Sequence, residues 1–149
     1  REIFDDDIIS LVDDQIIKKD GHIQFGSLRI ECGSTGAQIA TLELSIDGKR
    51  QSITEDGSGP VDATFKAIRK LVPHEAKLAL YQVHAVTAGI DAQAEVTVRL
   101  ETPDGVIING HGSDIDTMVA SAKSYVNGLN KLLNYEEKIK SGVPEGTTV

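Results

Sequence analysis

The chain carries one succession of landmarks twice, and this repetition limits the possible folds more than any other feature. An Ala-Gln pair, an Asp-Gly turn and a Gly-x-Gly segment occur in that order at 37–38, 47–48 and 57–59, and again at 92–93, 104–105 and 110–112. The copies are displaced by about 55 residues, a period typical of a repeated supersecondary unit. The sequence therefore predicts a pseudo-symmetric body, with a natural ligand site where the two Gly-x-Gly junctions meet.

The polar and apolar pattern predicts three strands and a helix in each copy. Ala37 to Ile46 and Ala92 to Glu101 alternate as half-buried strands do. The first helix runs to Val72 with Pro60 in its first turn, and Gly-His-Gly at 110–112 leads into the second. That helix extends from Asp114 to about Leu133, capped by Ser113 or Asp114. We expect an α+β fold of two pseudo-symmetric βββα units with an N-terminal helix, dimeric because open sheets have exposed edges.

The expected organisation follows from these elements. Residues 1–20 form an amphipathic helix with acids early and lysines late, a charge order that suits the helix dipole. This helix either closes its own domain or connects to one upstream. Residues 21–135 form the main domain, with unit one at 21–73 and unit two at 74–135. Residues 136–149 form a tail.

Composition narrows the possible partners and the compartment. The 149 residues suffice for one core, and the formal charge of −8 disfavours nucleic acids and anionic membranes as partners. The single Cys32 excludes an internal disulfide and, in a strand-like run, predicts a buried, inert thiol. No apolar stretch reaches membrane-spanning length, and the acidic start is unlike a signal peptide. We expect a cytoplasmic protein, and the missing initiator Met indicates a piece of a longer one.

The two Gly-x-Gly segments are the main candidates for ligand binding. Glycine lets a backbone approach a ligand closely, and a helix start presents N–H groups and a positive dipole end. A carboxylate or a phosphate is the expected guest. The segments lack the Lys-Ser/Thr of a Walker loop and the third glycine of a dinucleotide fingerprint. The alternative is that the glycines only make tight turns.

Other candidate sites have weaker support. His84, Asp91 and His111 provide metal-ligand residue types, but no recognised metal-binding spacing joins them. A Ser/His/Asp hydrolase would need a nucleophile elbow, which the serine at 57–59 lacks. Asp56, Asp62 and Asp91 are capping or solvated acids, unless one of them faces an ammonium group.

Four ordered segments resemble a known family: 57–63 (GSGPVDA), 81–87 (YQVHAVT), 91–96 (DAQAEV) and 116–122 (DTMVASA). They are similar to the C-terminal regulatory domain of 2-isopropylmalate synthase, which is shared with citramalate synthase. The resemblance runs from about Ile23 to about Leu133. The run from Asp116 to Val126 favours the isopropylmalate enzyme.

The resemblance implies two βββα units, dimerisation and feedback inhibition by an end product. The effector is leucine for isopropylmalate synthase and isoleucine for citramalate synthase. It further implies an upstream TIM barrel that holds a divalent metal and condenses acetyl-CoA with 2-oxoisovalerate. The chain would then be a non-catalytic fragment of an acyltransferase, without catalytic residues, metal ligands or a cofactor of its own.

The resemblance also implies effector-binding positions where the two units meet, near the dimer interface. They are Gly57, Gly59, Asp62, Leu78, Tyr81, Ala85, Ala92, Asp114 and Ile115. Helix-end amides would hold the effector carboxylate, and an acid or backbone carbonyls would take its ammonium. Leu78, Ala85 and Ala92 would bound its aliphatic side chain.

Two other functions remain open at this point. One is a free-standing enzyme that uses His84 and nearby acids. The other is a dimerisation module that binds no ligand. Stabilisation by leucine or isoleucine would indicate the regulatory domain, loss of an activity on His84→Ala would indicate the enzyme, and a dimer whose stability ignores all amino acids would indicate the ligand-free module.

Overall fold

The computed structural model describes residues 22–34, 36, 38–85 and 92–140. Its elements are β1 Ile23–Glu31, β2 Gln38–Ile46, β3 Lys49–Gly57, α1 Pro60–Leu71, β4 Lys77–Ala85, β5 Ala94–Glu101, β6 Ile107–Asp114 and α2 Thr117–Lys140. The predicted α+β fold of two βββα units is confirmed. The predicted helix at 1–20 and the last nine residues of the tail lie outside the described residues.

Each unit forms its own antiparallel sheet, in the orders β1-β2-β3 and β4-β5-β6. The predicted Asp47-Gly48 turn joins β2 to β3, with positive φ at both residues (52° and 84°), as a two-residue hairpin turn requires. Gly105 makes the matching turn in unit two at φ 89°. Gly26 marks a bulge in β1, where an added Cβ would lie 2.7 Å from the Glu43 carbonyl oxygen.

The core lies between the sheets and the helices. α1 packs on β2 and β3, whereas α2 packs on β5 and β6 and also reaches β1 and α1. The alternation predicted for the central strands is confirmed, because Leu42 and Leu44 of β2 and Val96 and Val98 of β5 are fully buried. Each such side chain contributes about 1.5–3 kcal/mol on burial.

A buried amide joins the two units. Asn130 of α2 accepts a hydrogen bond from the Ile23 N–H and donates one to the Ile23 carbonyl, both at 2.8 Å. These bonds satisfy the backbone of an edge strand through a helix of the other unit. His22 adds a contact, since its two ring nitrogens lie 3.2 Å from an Asp47 carboxylate oxygen and 3.1 Å from a Glu137 one. Unit one is thereby fastened to α2.

The second Gly-x-Gly segment does not open a helix, so that prediction is wrong. Gly110 and Gly112 lie inside β6, opposite Val98 and Val96 of β5. A Cβ on Gly110 would clash with the backbone of Ser124, and one on Gly112 would lie 2.5 Å from the Ser124 nitrogen. Because these glycines have no side chain, α2 can lie directly on the strand. The repeated Gly-x-Gly pattern did not indicate this packing role.

Three further predictions need correction. α2 begins at Thr117 and continues to Lys140, well beyond Leu133, because its last turns keep a half-buried face after the regular apolar stripe ends. Its cap is Asp116, whose Oδ1 accepts hydrogen bonds from the nitrogens of Met118 (2.8 Å) and Val119 (3.2 Å). Cys32 is exposed, since β1 ends one residue before it.

Candidate functional site

A pocket of about 530 Å³ lies between α1 and unit two. The β3–α1 junction forms one end through Ser58, Gly59 and Asp62. Phe65 and Arg69 continue the wall along α1. Leu78 of β4 and Tyr125 of α2 contribute the side that belongs to unit two. The volume lies in the range of small-molecule sites, and the walls come from both units.

The start of α1 forms the acidic end of this pocket. Gly59 occupies the N-cap position without a side-chain cap, and Pro60 follows in the first turn as predicted. The Asp62 carboxylate accepts hydrogen bonds from the Ser58 nitrogen at 2.9 Å and from the Ser58 hydroxyl at 3.4 Å. Lys66 lies 3.9 Å from the same oxygen. The carboxylate therefore already compensates the positive end of the helix dipole.

Arg69, Tyr125 and His74 form the opposite end. Tyr125 Oη lies 3.0 Å from His74 Nε2, and Arg69 Nη1 donates a long 3.5 Å bond to the Ala76 carbonyl. Burial lowers the pKa of His74, and the charge of Arg69 lowers it further. Burial raises the pKa of the Tyr125 phenol. Both rings therefore stay neutral at pH 7, and Arg69 supplies the positive charge at this end.

Aromatic rings connect the pocket to both units. Phe65 meets Tyr125 edge-on at a centroid distance of 4.8 Å and Tyr81 at 5.5 Å. The Ser121 hydroxyl donates to the Thr117 carbonyl at 2.8 Å, so Tyr81 donates to Ser121 across 2.7 Å. Tyr81 thus joins β4 to Ser121 near the start of α2, and its ring also contacts Phe65 in the pocket wall.

The structure brings part of the predicted effector set together. Gly59, Asp62 and Leu78 line the pocket. Gly57 ends β3 just before it, where an added Cβ would lie 2.6 Å from both Asp62 Oδ2 and the Ala63 nitrogen. Tyr81 reaches the wall through Phe65.

Two residues of β4 approach α1: Leu78 lines the pocket, and the Tyr81 ring meets Phe65. Ala85 is the last residue of β4. Ala92 precedes β5, whose first residue, Ala94, pairs with Ala85. Ala92 is half-buried and is not among the described residues that line the pocket.

Asp114 and Ile115 occupy the equivalent junction of unit two, away from the described lining of the pocket. Asp114 pairs in register with Ala94 and lies 3.0 Å from Lys123. The backbone N–H of Asp116 and then Lys123 lower the pKa of Asp114. Ile115 is 70% exposed. The Asp114 carboxylate thus has partners within this junction, Lys123 and the Asp116 N–H.

Sequence reasoning missed Phe65, Arg69 and Tyr125 as pocket residues. The first two follow Asp62 at helical spacing, three and seven residues on, so a helical projection from Asp62 would have indicated them. Tyr125 carries no such signal, because its place depends on the packing of α2 against α1.

The metal alternative gains no support within the described residues. His84 is exposed on β4, His111 lies in β6, and Asp91 lies outside the described residues. No group of three or more His, Cys, Asp or Glu residues in the described parts of the chain is arranged to hold a metal ion. No helix in those parts is long and apolar enough to cross a membrane.

The fold and the pocket define a class of duplicated α+β domain with a ligand-sized cavity between its units. The chain belongs to one family within that class: the family model described as the LeuA allosteric (dimerisation) domain matches residues 2–133. The resemblance that the four sequence segments indicated is confirmed.

Several relatives carry the name 2-isopropylmalate synthase. The protein of Afipia carboxidovorans is 49% identical over 138 residues, which cover 93% of this chain and 26% of the relative. That of Caulobacter vibrioides is 52% identical with the same coverage. That of Nitrobacter hamburgensis is 50% identical over 133 residues, 89% of this chain and 25% of the relative. The chain thus spans about a quarter of the length of these curated relatives.

Proposed function

We propose that this domain binds leucine as the feedback inhibitor of a 2-isopropylmalate synthase and holds the enzyme together as a homodimer. The observation that carries the proposal is the pocket between the two units in a chain of this family. It combines an apolar wall with one acidic and one basic side chain, which matches a zwitterion with an aliphatic side chain. Leucine is preferred to isoleucine because the relatives are named isopropylmalate synthases.

The expected affinity follows from the groups in the pocket. Burying an aliphatic side chain contributes about 1.5–3 kcal/mol, and each charge-assisted hydrogen bond about 1.5–3 kcal/mol. The sum supports a dissociation constant near the micromolar range, about −8 kcal/mol. Binding at this level suits an inhibitor that must leave when the amino acid is scarce.

Inhibition requires that the effector favour one of two arrangements of the domain. Phe65 and Arg69 belong to unit one, whereas Leu78 and Tyr125 belong to unit two. A ligand between them stabilises the arrangement in which the units are closed together. The catalytic barrel, which condenses acetyl-CoA with 2-oxoisovalerate and holds the divalent metal in this proposal, lies outside this chain and would sense that arrangement.

An uncovered apolar edge supports dimerisation. β4 is an edge strand, and Val83 pairs with the buried Val96, so it faces the core side of its sheet. Val83 is nevertheless 44% exposed and Leu78 is 38% exposed. A second copy of the chain would cover these residues, and Val83→Asp should shift the mass measured by light scattering from dimer to monomer.

A thermal-shift and calorimetric panel of the twenty amino acids tests the proposal. Leucine should raise the melting temperature, and Leu78→Asp should weaken its binding more than Ile107→Asp, which changes an exposed side chain on β6 outside the pocket. If isoleucine alone raised the melting temperature, the domain would be assigned to a citramalate synthase instead. A dimer that ignores every amino acid at millimolar concentration would leave a ligand-free dimerisation module.

A further inference from the structure

The α2 tail, residues 133–140, carries groups that no described residue covers. Leu132, just before it, is fully buried, whereas Glu136, Glu137 and Ile139 are exposed. Ile139 alone is 58% exposed. A single exposed isoleucine needs no explanation, but here it lies beside a second feature that points to a missing partner.

That feature is a buried amide on the same tail. Asn134 Nδ2 is buried and has no hydrogen-bond partner among the described residues. Asn134 lies four residues after Asn130, so the two side chains share one face of α2. Asn130 binds both backbone groups of Ile23, at the start of β1. Because an unsatisfied buried donor is costly, we expect an acceptor on this face.

The chain that enters β1 approaches the same face. Ile23 lies at Asn130, and His22, one residue earlier, has a ring nitrogen 3.1 Å from a Glu137 carboxylate oxygen. The contacts thus move toward the end of α2 as the chain is followed back from β1. The residues that precede His22 are therefore directed toward the α2 tail.

The backbone pattern indicates which acceptor could reach Asn134. The His22 carbonyl is turned away from α2, since it accepts a hydrogen bond from the Asp47 N–H at 2.8 Å. Backbone groups alternate sides along an extended chain, so the next carbonyl on the α2 side after that of Ile23 is that of Gly21. Four helical residues rise about 6 Å and two extended residues about 6.6 Å, so the two spacings match.

The segment before His22 complements the α2 tail in its side chains. Two lysines at 18–19 are opposite in charge to the exposed Glu136 and Glu137. The family model that matches the chain begins at residue 2, so this segment is part of the matched domain. Its predicted helix also has an apolar stripe, formed by Ile8, Leu11, Val12 and Ile16.

We propose that residues 4–21 dock along the α2 tail, with the Gly21 carbonyl on Asn134 Nδ2 and the apolar stripe over Ile139. This docking goes beyond the proposed function and does not depend on leucine binding. If the catalytic barrel lies upstream, as in the proposed function, the segment would attach it to the same helix that contributes Tyr125 to the pocket.

Methyl NMR of the full chain, with no effector added, tests the contact directly. The Ile139 methyl groups should give nuclear Overhauser effects to methyl groups of the stripe, and a sample mixed from labelled and unlabelled chains should show that they arise within one chain. Effects only between chains would mean that a second copy covers Ile139. No effect at all would leave it in solvent. Either result would overturn the proposal.

Hydrogen exchange tests whether this contact orders the segment. The amides of residues 8–17 should exchange at least about tenfold more slowly than those of an unstructured chain. Ile139→Gln should remove most of this protection, and glutamine is a good helix former, so α2 should persist. Ile107→Gln, the same change at an exposed isoleucine of β6, should leave the protection as it is. Equal losses in the two variants would contradict docking at the α2 tail.

Asn134→Asp tests the amide contact, because it replaces the donor with a group of the same shape that repels a carbonyl. It should lower the protection of residues 8–17 by at least about threefold. Asn127→Asp is the matched control on α2, since Asn127 only accepts a hydrogen bond from the His111 N–H and an aspartate can still accept it. Protection that survives Asn134→Asp would show that the segment does not bind this amide.

Discussion

The two strand-to-helix junctions occupy the same place in the two units, yet they differ in the groups that cap the helix and pair with the junction residues. Gly57 ends β3 opposite Gln38, and Asp114 ends β6 opposite Ala94, each three residues before its helix begins. In unit two, Asp116 caps the helix and Asp114 pairs with Lys123. In unit one the cap position is Gly59, which has no side chain, and the pocket opens beside it. The two junctions thus follow the same backbone path, but a side chain caps the helix in unit two, whereas a pocket opens beside the helix start in unit one.

Gly59 of unit one and Gly110 of unit two also have different roles. Gly59 has nothing within 4 Å of an added Cβ, so its small size leaves room on the side of the pocket. Gly110 is enclosed by the backbone of Ser124 and Gly128. One glycine therefore keeps a surface open, and the other lets a helix approach a strand.

The largest effect is expected from Gly110→Ala. The new methyl would meet the backbone of α2, which has no flexible side chain to move aside, so we expect a loss of about 3 kcal/mol in the free energy of unfolding. Gly59→Ala, in open space at an extended φ of −162°, should cost less than about 1 kcal/mol. Urea unfolding of the two variants measures both values, and equal losses would contradict the division of roles.

A smaller effect is expected from Asp116→Ala. Removing the carboxylate leaves the nitrogens of Met118 and Val119 without their cap and should lower the free energy of unfolding by about 1 kcal/mol. Ser113→Ala, at one of the two positions that the sequence indicated as the cap, should change it little, because Ser113 lies within β6. If the effects were reversed, the cap would lie where the sequence placed it and the two junctions would be more alike.

Local patterns in the sequence predicted the units and their turns, because alternation, Asp-Gly turns and Pro60 act over a few residues. They failed where the deciding contact is distant. Gly110 sits where it does because α2 lies on β6, and Cys32 is exposed because β1 ends before it. The end of α2 at Lys140 also depends on packing, since the regular apolar stripe stops near Leu133.

The residues of the candidate site were likewise only partly predictable from local patterns in the sequence. Gly59, Asp62 and Leu78 were predicted and line the pocket, whereas the predicted Asp114 and Ile115 belong to the closed junction. A repeated motif indicates equivalent positions and does not show which copy remains open. That difference arises from side chains such as Asp116, which the first unit replaces with Gly59.

The smallest predicted effect concerns His74, which lies between α1 and β4 at the start of unit two and contacts the Tyr125 hydroxyl of α2 at 3.0 Å. Because the pKa of His74 is lowered from 6.5 in the folded state, the unfolded chain takes up a proton first as the pH falls. The stability contributed by the neutral imidazole is thus present above about pH 6.5 and is lost as the pH falls through the folded-state pKa. Since the ring is only half-buried and partly screened by solvent, we expect a loss below about 1 kcal/mol in urea unfolding between about pH 7.5 and 5. His74→Gln, which stays neutral, should flatten that slope, whereas His84→Gln, at an exposed position on β4, should leave it as it is. An unchanged slope in His74→Gln would contradict this prediction, because the sensitivity to acid would then arise from another group.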